Sequence, residues 1–124
     1  MSIQLQQADY IIVYVSDMAR STAFYQETLG LPLKFTSPGW TEFATGPTTI
    51  ALHMTGEQKL PPHHGRPPAG MAHIGFVVDD IDAIYESLKS RDVHFSLPPT
   101  KQTSGVTLAV LHDPDGLGIT VQQR

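Results

Sequence analysis

Two histidines sit in apolar runs where such a side chain stands out: His53 in TTIALHM (48 to 54) and His73 in MAHIGFVVDD (71 to 80). An imidazole can ligate a divalent metal, carry a proton near neutral pH, or act as a hydrogen-bonding group, so each position opens three chemistries. Tyr10 and Tyr14 are an even number of residues apart and share one face of a strand, offering rings for stacking and hydroxyls for hydrogen bonds. Trp40, the only tryptophan, is a candidate stacking wall, and Glu42 is a carboxylate suited to a cationic ligand. Each has a plainer role to set beside this one. His73 reads first as a neutral, hydrogen-bonded imidazole, His53 as a partly exposed strand residue, Glu42 as a solvated edge carboxylate, and Trp40 equally as core or dimer-interface packing. Capping and turn geometry account for Asp17, Asp80 and Asp113-Pro114-Asp115-Gly116, which are assigned to structure. His63 and His64, adjacent in a proline-rich stretch, are read as solvated.

At 124 residues the chain fits one compact domain that buries roughly two thirds of its unfolded surface. Apolar residues make up 40% and charged residues 16%, and no run reaches the ~18 apolar residues of a membrane span, so no membrane partner is expected. The opening MSIQLQQ has neither a basic nor an apolar signal region, and a cytoplasmic location is the expectation. With no cysteine there are no disulfides, thiolate zinc sites or cysteine nucleophile. A net charge of −4 supplies no basic stripe, so nucleic acid is not expected as a partner. No nucleophile elbow, phosphate loop or carboxylate pair stands out.

The elements that must position these groups come in two copies. DYIIVYVSDM and AHIGFVVDDI superimpose with Tyr10 on His73, an offset of 63 residues that also pairs Ile11 with Ile74, Val13 with Phe76 and Asp17 with Asp80. Each copy predicts a strand ending at an aspartate that caps a helix. The first helix is expected from about Met18 to Leu29, with Gly30 left-handed after it; the second carries Ile81, Ile84, Tyr85 and Leu88 as one apolar stripe. Three strands follow each helix, at about 33 to 36, 40 to 45 and 48 to 54, then about 93 to 97, 105 to 112 and 117 to 123. Both halves read β-α-β-β-β within a single domain of residues 1–124. Module one covers about 8–55, a proline- and glycine-rich linker about 56–70, and module two about 71–124.

Strand alternation separates two faces. Ile11, Val13, Val15, Ile50, Leu52, Met54, Ile74, Phe76, Val78, Leu108, Val110, Ile119 and Val121 are expected against the helices. Tyr10, Ile12, Tyr14, Thr49, Ala51, His53, His73, Gly75, Val77, Thr107, Ala109, Thr120 and Gln122 are expected on the opposite face. A two-residue loop at Gly46-Pro47 would pair Ala44 with Thr49, Glu42 with Ala51 and Trp40 with His53, which adds Trp40 and Glu42 to this second face.

Three stretches, DYIIVYVSDMARSTAFYQETLGLPL (9 to 33), AHIGFVVDDIDAIYESL (72 to 88) and VLHDPDGLGITV (110 to 121), together with the paired modules, make the chain resemble the vicinal oxygen chelate superfamily. That superfamily contains glyoxalase I, bleomycin and fosfomycin resistance proteins and extradiol dioxygenases. The resemblance covers nearly the whole chain and implies an α+β fold, in which two βαβββ modules form a curled, partly open mixed-sheet barrel around a cleft, usually in a homodimer. It also implies where metal-dependent members place their ligands: Tyr10, Ala51, His73 and Thr120. Among these, His73 alone is a standard ligand, so the sequence departs from both the glyoxalase-like and dioxygenase-like patterns.

The expectation is therefore a small-molecule binding protein of the bleomycin-resistance type, binding or sequestering its ligand without a standard metal site and with no cofactor. Tyr10, Tyr14, Trp40, Glu42, His53, His73 and Thr120 are the candidate ligand-binding residues. Behind it stands an enzyme of the same superfamily, a lyase, isomerase or dioxygenase-like protein. That enzyme would use His73 or His53 as acid or base, or hold a divalent metal on a non-standard set that includes Glu42, with the metal version the least favoured.

Overall fold

The structure, a computed structural model, describes residues 3–56, 67 and 69–124. Most of the expected linker, including His63 and His64, lies outside the described residues. The chain divides into two compact units, Met1–Gln58 and Lys59–Arg124. Each is a βαβββ module, and the fold is α+β.

In the first unit, β1 (Tyr10–Val15) leads through Asp17 into α1 (Met18–Ala23), followed by β2 (Leu33–Thr36), β3 (Trp40–Thr45) and β4 (Thr48–Met54). The second unit repeats the plan with β5 (Ile74–Val77), α2 (Ile81–Lys89), β6 (Phe95–Lys101), β7 (Thr107–His112) and β8 (Gly118–Gln123). Strand order is β1-β4-β3-β2 in one sheet and β5-β8-β7-β6 in the other. The β1–β4 and β5–β8 pairs are parallel and the remaining pairs antiparallel. The internal repeat in sequence is thus a repeat in topology.

The expected caps form. The Asp17 carboxylate accepts from Arg20 N at 3.0 Å and that of Asp80 from Ala83 N at 3.1 Å, each satisfying an amide that the first helical turn leaves open. One face of each sheet is buried with its helix, except that Ile11 and Met54, expected there, are exposed. Val13, Val15, Ile50 and Leu52 pack with Tyr25 and Phe43 in the first module, and Ile74, Ile81, Leu88, Leu111, Ile119 and Val121 form the core of the second. Each such residue contributes roughly 1.5–3 kcal/mol.

Three expectations need correction. The helix of module one is α-helical only to Ala23; Phe24–Thr28 continue as a wider π turn in which Leu29 N donates to Phe24 O and Leu31 N to Tyr25 O. These longer closures satisfy the carbonyls at the end of the helix before Gly30 reverses the chain at φ 78°. Strand β6 begins two residues later than expected and runs on through Pro98 and Pro99. It lies at the edge of its sheet, where a missing proline N–H leaves no neighbour unpaired.

The third correction concerns β7. Ala109 pairs with Val121 and Leu111 with Ile119, and Ala109, Leu111 and Ile119 are fully buried, so these residues share the core face. Leu108 and Val110 pair with Gln122 and Thr120 and therefore lie on the second face, in place of Thr107 and Ala109. TLAVLH is apolar at both parities, so alternation within the strand cannot choose between faces, and pairing with β8 does.

Candidate functional site

The hairpin register of module one is the one that its short loop implies: Trp40 opposite His53, Glu42 opposite Ala51 and Ala44 opposite Thr49. On the other side of β4, Tyr14 pairs with His53 and Tyr10 with Thr49. Tyr14, His53 and Trp40 thereby form one row across three adjacent strands. Ring centroids are 5.5 Å apart for Tyr14 and His53 and 5.6 Å for Trp40 and His53, the latter pair edge to face at 88°. Tyr14 is 61% exposed and Tyr10 56%, a large aromatic surface on the sheet face away from α1.

A polar row lies beside the aromatic one. The indole Nε1 of Trp40 donates to Glu42 Oε2 at 2.8 Å, which fixes the ring plane. Lys34 Nζ approaches Glu42 Oε1 at 3.6 Å and donates to Thr49 Oγ1 at 3.1 Å. Both charged side chains are partly exposed, so their pairing contributes only about 0–1 kcal/mol, but it neutralises the face. Lys34 was not among the residues expected here. Parity along β2 does not reveal it, because the register shifts between Leu33 and Phe35.

Module two presents His73 and Thr120. His73 directly precedes β5 and is exposed, and its imidazole lies against Gly118. A Cβ at Gly118 would come within 2.4 Å of His73 Cε1 and 2.5 Å of Nε2, so the glycine is what gives the ring its seat. Gly118 also pairs with His112. The His112 ring is held on both sides: Ser96 Oγ lies 2.8 Å from Nε2, and Nδ1 lies 3.0 Å from the Gly116 carbonyl. A carbonyl can only accept, so Nδ1 carries the proton and Nε2 accepts from the serine. Ser96 occupies the register shift between Phe95 and Leu97, and this bond ties the bulged edge strand to β7. Neither Gly118 nor the Ser96–His112 bond was anticipated, since both depend on cross-strand partners.

The Asp113–Gly116 turn is structural, as expected. Gly116 N donates to Asp113 O at 2.9 Å, and Asp113 Oδ1 accepts from Asp115 N and Leu117 N, both at 2.9 Å.

The positions at which the resemblance implies metal ligands carry few standard donors. Of the four positions implied by the resemblance, Ala51 has no donor atom and is buried. Its cross-strand neighbour Glu42, which could have supplied a carboxylate, is occupied by the Trp40 N–H and faced by the Lys34 ammonium. Among the described residues no group of three or more His, Cys, Asp or Glu side chains is arranged to hold a metal ion.

The family model described as Glyoxalase/Bleomycin resistance protein/Dioxygenase superfamily matches residues 7–121. The chain is 30% identical to the uncharacterized protein YaeR of Escherichia coli, covering 97% of this chain and 98% of that one. A glyoxalase/dioxygenase from Nostoc punctiforme superimposes with a TM-score of 0.83 at 19% identity, over 99% of this chain and 97% of the other. Lactoylglutathione lyase from Agrobacterium tumefaciens does so with a TM-score of 0.73 at 19% identity, over 92% and 90%. At these identities the structural likeness speaks for the fold alone. Among the described residues, no helix is long and apolar enough to cross a membrane.

Proposed function

The chain belongs to the glyoxalase/bleomycin resistance protein/dioxygenase superfamily, and from that premise we propose that it binds a small molecule without a metal, as a sequestering or carrier protein. The observation that carries this reading is the row of Tyr14, His53 and Trp40 on the sheet face away from the helix, exposed at Tyr14 and His53 and half-buried at Trp40. Exposed aromatic surface set among a few fixed polar groups is what a ligand site needs, and binding alone asks for no catalytic group. Tyr10, Glu42 and Lys34 border the row within the same module. The poor donor set supports the metal-free character, and a homodimer accords with the superfamily and with open sheet edges.

Trp40 is the only tryptophan, so its emission reports on the site without a label. Titrating the protein with a panel of planar aromatic compounds should quench or shift that emission saturably. Calorimetry should show the same compounds binding at least tenfold more weakly to Tyr14→Ala and Trp40→Ala. Equal affinity for wild type and both variants would remove the site from this face. Metal analysis of untagged protein should find no stoichiometric divalent ion; a stoichiometric ion lost in His73→Ala would overturn the metal-free reading.

The second reading is a metal-free enzyme with His53 as base, and one contact favours it. His53 Nδ1 lies 2.9 Å from the Met54 carbonyl, an arrangement that leaves Nε2 as the proton-accepting nitrogen of the neutral ring. Turnover of any bound compound that is lost in His53→Gln while binding persists would move the assignment from binder to enzyme.

A further inference from the structure

We propose that the site selects a neutral aromatic ligand that carries its own hydrogen-bond donor, a ring hydroxyl or N–H, and offers it to His53 Nε2. This inference rests on the aromatic row of module one being the binding face. His53 is the middle member of that row, partnered by Tyr14 on β1 and Trp40 on β3, so a planar ligand lying along the row meets the imidazole wherever it sits.

The direction of hydrogen bonding at the imidazole follows from its other nitrogen. The Met54 carbonyl, 2.9 Å from Nδ1, has no proton to give, so Nδ1 donates and Nε2 of the neutral ring is left as an acceptor. The ring is exposed, and Nε2 makes no hydrogen bond among the described residues. A ligand that covers it without donating leaves a desolvated acceptor unpaired, whereas one that donates replaces the water it displaces. That asymmetry discriminates between ligands of the same shape.

The neighbouring polar groups set the charge of the ligand. The donor of Trp40 is spent on Glu42, and the Lys34 ammonium is shared between Glu42 and Thr49. The two formal charges oppose each other within the row, so neither an anion nor a cation finds an uncompensated partner there. An uncharged ring with a donor fits what remains.

The probes are 2-naphthol and 2-methoxynaphthalene, which share a ring system and differ in the donor hydrogen, measured by equilibrium dialysis against the full-length protein at neutral pH. One net hydrogen bond corresponds to about fivefold in affinity, so 2-naphthol should bind about fivefold more tightly. His53→Phe keeps a ring and removes the acceptor, and the ratio should fall to about one; His53→Gln restores an acceptor and should recover part of it. Equal binding of the two probes to wild type overturns the donor requirement and leaves the aromatic face standing as a site. Failure of both probes to bind overturns the aromatic face itself, and this inference with it. A preference that persists in His53→Phe assigns the donor to another acceptor and refutes the role of His53.

Discussion

Gly118→Ala tests the seat of His73 by a displacement whose size can be worked out. The new methyl would lie 2.4 Å from His73 Cε1 and 2.5 Å from Nε2. Non-bonded carbon atoms settle at about 3.5–4.0 Å, so the ring has to retreat by at least about 1 Å. The atoms in the way belong to an exposed side chain rather than to backbone, and χ rotation can move them. Alanine is also favoured over glycine in a strand by roughly 0.5–1 kcal/mol, which offsets the lost contact. The expected result is a stability change smaller than about 1 kcal/mol in urea denaturation, with a clear change in the ¹H–¹³C signal of His73 Cε1. In wild type, cross-relaxation between His73 Hε1 and the Gly118 α-protons should be visible. The double variant His73→Ala/Gly118→Ala should remove whatever cost the methyl has, because the two sites are coupled through this one contact. A loss above about 3 kcal/mol in Gly118→Ala would show that the ring cannot move aside, and an unshifted His73 signal would show that it never rested on Gly118; either refutes the reasoning.

The face reversal in β7 predicts that Leu111→Ala, at a fully buried position, destabilises by about 2–5 kcal/mol, whereas Val110→Ala on the other face does so by less; the opposite ranking by thermal or urea denaturation would restore the alternation-based assignment. Asp113→Ala strands the amides of Asp115 and Leu117 and should cost about 1–3 kcal/mol, measurable as a lowered Tm without a change in fold by circular dichroism. Lys34→Met removes the cation beside Glu42 and should alter stability by less than about 1 kcal/mol while shifting Trp40 emission, because the carboxylate held by the indole loses its counter-charge. Unchanged emission would mean that the Lys34–Glu42 contact does not persist in solution.

Where local chemistry decides the conformation, the amino-acid sequence was enough. Asp17 and Asp80 cap helices because an extended aspartate before a helical run has two or three open amides within reach, and Gly30 is left-handed because little else tolerates that backbone. The Gly46-Pro47 loop has two residues, which leaves one sensible hairpin register, and from it the shared face of Trp40, Glu42 and His53 follows. The strand-helix repeat at a fixed offset determined the topology of both modules. Tertiary structure decided the rest, wherever the deciding contact is distant in sequence or two arrangements are locally equivalent. TLAVLH is apolar at every core-competent position, so only Val121 and Ile119 on β8 settle which side of β7 is buried. The shift in β2 hides Lys34 from any parity argument, and its approach to Glu42 turns a candidate ligand carboxylate into one already engaged. Gly118 and His73 lie on elements brought together by the parallel pairing of β5 with β8, a long-range contact that no periodicity encodes. Alternation could place His53 on a face; the carbonyl of Met54, and hence the nitrogen left to accept, belongs to the folded chain.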